Sequence, residues 1–283
     1  KSDLLFHGFN SVESYLKMLF EYGLDIHETT FAKLVDMLLE TPPDDSFYER
    51  GISKVGRVLE DKGHSGSNTI RAASLVCADK SNQNLVKQEI NHSLNCFLEV
   101  VKYESIHDFA FLKNGKWIFK NNMLFPGFYN LRVLAFSDIW KNTSTMMMLE
   151  KAFCNLIKLQ PLPYIYVHEK GQMIAPSSYL MHNFDISFHD CSDDEKAEWL
   201  LRTEYIARIG MMKVFNISKS SLYSKDTLLD DINNIRKSYS FMKWGSYTGI
   251  SLEENWRKAQ RKLNDIAFRF ELIRYWDNKS AFV

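Results

Sequence analysis

Residues 10–40 carry apolar side chains at helical spacing, and the same pattern returns at 67–99 and 128–159. In the first stretch Val12, Tyr15, Leu16 and Leu19 form one stripe. Phe31, Leu34, Val35, Leu38 and Leu39 form a second. The i, i+3, i+4, i+7, i+8 spacing is that of a helix that packs on one side. Asn10-Ser11 and Thr29-Thr30 offer N-cap oxygens, Gly23 ends the first helix and Pro42-Pro43 stops the second. The second stretch predicts a helix from Ser67 or Asn68 through Leu75 and Ala78. A polar linker through Asn82 follows, then a stripe of Ile90, Leu94, Phe97 and Leu98. The third predicts helices from Tyr129 to Trp140 and from Ser144 to Leu159.

The register between these stretches is 59 residues. Leu16, Leu75 and Leu134 correspond, as do Phe31/Ile90/Leu149, Val35/Leu94/Phe153, Leu38/Phe97/Leu156 and Leu39/Leu98/Ile157. A fixed period in this range marks helix hairpins that hide their apolar faces only by stacking on their neighbours. Between the hairpins, residues 45–62 predict an extra helix carrying Phe47, Ile52, Val55, Val58 and Leu59. Phe109 to Phe119 predicts a β-hairpin turning at Asn114-Gly115, and Tyr164 to Ile174 a second one turning at Lys170-Gly171. Past residue 190 the register fades, and helices drawn at 193–215, 226–242 and 252–276 read as a degenerate unit and a closing helix.

These features predict one all-α repeat domain over 1–283, with β-hairpins as small excursions. Ten or so helices in hairpins suit a closed ring. The segments starting at Tyr15, Ser74 and Val133, about half the chain, resemble the α/α toroid of terpenoid cyclases and protein prenyltransferase β-subunits. The resemblance implies a scaffold with a central cavity and implies no activity. The DxDD acid motif of the cyclases and the Gln-Trp repeat signatures are absent, and the Asp, Cys and His zinc ligands of the prenyltransferases find no counterpart.

Charge narrows the partners. Lys+Arg and Asp+Glu are equal at 35 each, so the chain exerts no general pull on nucleic acid or anionic lipid. No apolar run approaches the length that spans a bilayer. The four cysteines are widely spaced without a CxxC, which points to a reducing cytoplasm. Aromatic residues make up 14% of the chain, enough to line a cavity as well as a core. The leading expectation is a cytoplasmic protein that binds an apolar or amphiphilic small molecule in a central cavity. A helical-repeat module for protein partners is the alternative, and a carbohydrate-processing enzyme the third. The sequence calls for no cofactor and no metal, and leaves open whether the chain is an enzyme.

Candidate chemistry is sparse. Arg71 and Arg132 fall in the first turns of two corresponding helices, close to Asn68, Tyr129 and Asn130. Free amides at helix N-termini beside guanidinium groups make an anion site, so Arg71, Tyr129, Asn130 and Arg132 are the expected ligand-binding residues, with Phe136 as an aromatic wall. Asp79 and Asp138 are 59 apart, and a carboxylate pair across one mouth is what glycoside hydrolysis needs. Their place as turn residues opening polar linkers is the simpler explanation and suffices. His189-Asp190-Cys191, with His182 and Asp185 nearby, holds metal-ligating side chains, though adjacent ligands diverge and a helix cap accounts for the segment. Glu204 and Arg208 make an i, i+4 pair. Trp256 to Lys262 is locally basic, and Met146-Met147-Met148 is core filler.

Overall fold

The computed structural model describes residues 12–24, 29–39, 51–176, 190–215 and 255–280, together with Met181, Phe184, Phe188 and Glu253. The chain divides into two compact units, 1–184 and 185–283. Within the first unit, helices follow one another in pairs along the chain: α1 (Val12–Glu21) with α2 (Thr29–Leu39), α4 (Ser67–Leu75) with α5 (Asn84–Val100), and α7 (Phe128–Ala135) with α8 (Thr143–Lys158), the first two pairs packing as hairpins. The helix α3 (Gly51–Asp61) stands between the first two pairs, and the single turn α6 (Ile106–Phe109) follows α5. The expected caps at Asn10-Ser11, the stop at Pro42-Pro43 and the first part of the 45–62 helix lie outside the described residues.

The first helices of the three pairs pack in a row, with α4 against both α1 and α7. In the second row α5 packs on α8 as well as on α4 and α7. Leu16, Leu75 and Leu134 are fully buried in the first row, and Phe31, Ile90 and Leu149, like Leu38, Phe97 and Leu156, are buried in the second. Burying one such side chain contributes about 1.5–3 kcal/mol, which in the second row holds α5 and α8 together, while α2 packs on α1 and α4. The last column breaks, because Leu98 is exposed.

The all-α class is overturned by the sheet. Strands β1 (Ala110–Lys113) and β2 (Lys116–Phe119) form the first hairpin, and β3 (Ile165–Glu169) and β4 (Gln172–Ile174) the second. They are not separate excursions. Trp117 and Ile118 pair in parallel with Ile165 and Tyr166, giving one four-stranded mixed sheet of order β1-β2-β3-β4. An isolated two-stranded hairpin leaves both edges unpaired and is marginal in water, and joining the two removes one edge from each. Both turns have two residues at positive φ, Asn114-Gly115 and Lys170-Gly171, which suits the right-handed twist of the strands they join. Buried Phe109, Phe119, Phe125 and Tyr103 cluster under the sheet with ring centroids 4.8–6.2 Å apart, so its core is aromatic. A repeat that carries a shared sheet is a mixed α and β fold and not the all-α toroid.

The third pair also differs in detail from the expected helix over Tyr129 to Trp140. Helix α7 ends at Ala135, and Trp140 turns back so that its indole Nε1 donates to the Leu134 carbonyl at 3.0 Å. Helix α8 is capped by Asn142, whose Oδ1 accepts from the Thr145 amide at 3.0 Å.

The second unit pairs α9 (Asp193–Ile209) with α10 (Ala259–Ser280). Ser192 and Glu195 form a capping box at the start of α9, and Gly210 in the left-handed region ends it. Every residue from Trp199 to Ile209 is buried. Glu204 lies within the α9–α10 contact, accepting from Arg208 Nε at 2.9 Å and from Arg269 Nη1 at 3.0 Å. The Glu204–Arg208 pair is therefore core and not a surface pair, and the Arg208 guanidinium stacks over Trp276 at 4.2 Å. The helix expected at 226–242 lies outside the described residues.

Candidate functional site

Helices α4 and α7 begin in the same way, at a glycine N-cap (Gly66, Gly127) with the third helical residue, Thr69 or Asn130, accepting from the glycine amide. These starts are 61 residues apart, as are Arg71 and Arg132, whereas the second-row helices keep the register of 59. Leu75 is therefore the ninth residue of α4 and Leu134 the seventh of α7, so this 59-residue pair is buried without being equivalent in the two helices.

The residues around the two starts are different. At α7, Asn130 is fully buried, with Oδ1 accepting from Ser65 Oγ and from the Gly127 amide, and Nδ2 donating to Ser93 Oγ at 3.1 Å. At α4 the partners are carboxylates. Glu60, reaching over from α3, accepts from the Asn68 amide, and Glu89, from α5, accepts from Thr69 Oγ1 at 2.8 Å. Burial pushes the Glu60 carboxyl up to about 7, helped by the nearby Glu89 and Asp61 charges and opposed by the Asn68 amide and Arg71. Burial raises Glu89 as well. His64, buried with its ring 4.5 Å from that of Phe119, is pushed down to about 4 by burial and by the neighbouring His92. Helices α3 and α4 cross closely here, since a Cβ on Gly66 would stand 2.1 Å from the Gly56 carbonyl oxygen. The cluster fastens α3, α4 and α5 together.

The four residues expected to bind a ligand are distributed as follows. Arg132 is buried, with Nη1 donating to Glu13 Oε1 at 2.7 Å, and Tyr129 donates its hydroxyl to Glu13 Oε2 at 3.4 Å. Asn130 belongs to the network described above. Arg71 is half-buried and holds the Leu38 carbonyl through Nε at 2.8 Å and Nη2 at 2.6 Å. Phe136 meets Phe20 edge-on at 5.5 Å. Tyr129 and Arg132 thus meet on one carboxylate, while Arg71 ties its helix to the end of α2. Asp79 and Asp138 are exposed in turns, and Asp138 pairs with Lys141 at 2.6 Å, so no shared carboxylate mouth forms from them. His182, Asp185 and His189 lie outside the described residues; Asp190 is exposed and Cys191 buried. No cluster of three potential metal ligands occurs among the described residues.

An open feature lies on the second row. A groove of about 550 Å³ runs along α8 beside the end of α5, lined by Val101, Met147, Glu150, Lys151, Cys154, Asn155 and Lys158. Met147 is 56% exposed and Val101 37%, so the methionine run expected in the core contributes to the surface instead. Cys154 is exposed, in contrast to Cys77 and Cys96. Asn155 closes one wall, its Nδ2 donating to the Val100 and Tyr103 carbonyls at 2.7 and 2.8 Å and binding the end of α5 to α8. Met147, Lys151, Cys154 and Lys158 follow one another at i, i+4, i+7 and i+11, a single stripe. Sequence reasoning missed them because an apolar-and-lysine stripe reads the same whether it is packed or open.

The chain matches no protein-family model, no curated protein and no solved structure, so its own geometry carries the functional argument.

Proposed function

We propose that this chain is a helical-repeat interaction module that binds a protein partner along the α5–α8 groove. The observation that supports the reading is the pairing of an apolar floor, Val101 and Met147, with an open position on the second-row helices. A small ligand is usually enclosed over most of its surface, whereas an open helix groove suits a macromolecule. The first row, where an enclosed ligand was expected, is filled by Leu75, Leu131, Leu134 and the Glu13–Arg132 pair. We place the protein in the cytoplasm. Its four cysteines are free, and no helix among the described residues is long and apolar enough to cross a membrane. Photo-crosslinking tests the docking role: benzoylphenylalanine at position 147 should give a discrete protein adduct in native extract, and the same group at position 79 should not. Loss of that adduct is expected when the crosslinker stays at position 147 and Val101 on the facing wall is changed in folded Val101→Arg, and its retention would contradict the reading.

A further inference from the structure

Lys151 and Lys158 stand exposed on the groove, and neither makes a hydrogen bond or ion pair with any described residue. Between them lies Cys154, with Met147 one turn before Lys151 and Val101 on the facing end of α5. Seven residues of helix separate the two lysines, which is about 10.5 Å along the axis. Along the Met147–Lys158 stripe the lining alternates apolar, cationic, apolar, cationic, with half-buried Glu150 beside it engaged in an interaction of its own, and an occupant complementary to the stripe carries two anions at that spacing with apolar groups between.

Spacing selects the backbone of the occupant. In an extended segment successive side chains alternate faces at about 3.3 Å per residue, so same-face positions fall near 6.6 or 13 Å. Neither matches. In an α-helix lying along the groove, residues i and i+7 recur on one face at about 10.5 Å, the separation of the lysines. A groove beside two packed helices also accepts the ridge of a third. Resting on the docking role proposed above, we infer that the groove takes an amphipathic helix of a partner protein carrying two carboxylate side chains seven residues apart, flanking apolar anchors. The carboxylates pair with Lys151 and Lys158, and the anchors cover Met147, Val101 and the Cys154 thiol.

The test uses the full chain and a synthetic helical 15-residue peptide with glutamates at two positions seven apart on a leucine face, followed by fluorescence anisotropy. A peptide with lysines at those positions and the ten-carbon fatty-acid anion decanoate are the comparison probes. Two exposed ion pairs turned from attraction to repulsion change affinity by about tenfold or more. The glutamate peptide should therefore bind at least that much more tightly than the lysine peptide. In K151E/K158E, checked for an unchanged melting temperature, the preference should invert. Equal binding of both peptides, an unchanged preference in K151E/K158E, or binding of neither would overturn the acidic-helix inference. Binding of decanoate without the peptide would also overturn it, in favour of an amphiphilic small molecule. The position-147 crosslink is read separately, so a failed peptide does not decide whether a protein docks there.

Discussion

Arg132 and Lys151 belong to the same helix pair and carry the same charge, yet their surroundings are opposite. Arg132, in the first row of the third pair, is 2% exposed and fastened to Glu13 of the first pair. Lys151, in the second row, stands on an open groove. The first row uses its polar groups to join repeat to repeat, through Glu13–Arg132, Asn130 with Ser65 and Ser93, and Arg71 with the Leu38 carbonyl. The second row joins α5 and α8 by apolar columns and Asn155, and leaves Lys151 and Lys158 exposed on the groove. Charged side chains near helix starts are thus no guide by themselves to a ligand site in this repeat; the useful signal is whether the fold supplies their partner.

Breaking the first row should cost the most. Arg132→Met takes the guanidinium away from the buried Glu13 carboxylate, and a loss of about 3–5 kcal/mol in urea unfolding is expected. The double variant Glu13→Gln/Arg132→Met should recover much of it, because the carboxylate that the guanidinium balanced is then neutral. Next in size is Gly66→Ala, whose Cβ meets a carbonyl oxygen rather than a yielding side chain. Overpacking of this kind costs about 1–3 kcal/mol.

The two helix starts give a finer comparison, because α4 is capped by a titrating carboxylate and α7 by a neutral amide. The Glu60 carboxyl titrates near 7 in the folded chain and near 4.5 in a free chain, so the folded state holds the extra proton between these values. Its contribution is therefore present below about pH 4.5 and lost as pH rises toward 7. Glu60→Gln should gain on the wild type by on the order of 2 kcal/mol across that window, allowing for partial exposure. His64 runs the other way, losing stability as pH falls from 6.5 toward 4, so the wild-type profile alone mixes the two and the difference from Glu60→Gln separates them. The smallest effect belongs to the groove: Val101→Arg should change unfolding free energy by less than about 0.5 kcal/mol, as surface changes do, while abolishing partner capture through the position-147 crosslinker.

Much of the helical plan was legible because the core columns are local patterns. Leu38/Phe97/Leu156 and Leu16/Leu75/Leu134 could be read from spacing alone, and both are buried. The 61-residue offset of the first-row starts was hidden, since Leu75 and Leu134 are both buried although they stand at the ninth position of α4 and the seventh of α7. Both hairpins were readable from their turn residues. Their joining was not, because the pairing of Trp117 and Ile118 with Ile165 and Tyr166 is a tertiary event that neither strand announces. Arg132 was noticed as a charge at a helix start, but Glu13, its partner far earlier in the chain, gave no signal. Met147 reads as core from sequence because a buried stripe and an open one have the same composition.

The contrast between the rows is tested most directly by methyl NMR of the full chain during titration with the two-glutamate helical peptide. The Met147 and Val101 methyl signals should shift in proportion to occupancy, while those of Leu75, Leu131 and Leu134 stay in place. Shifts centred on Leu75, Leu131 and Leu134, with Met147 and Val101 unmoved, would contradict the account and return the binding site to the first-row helix starts.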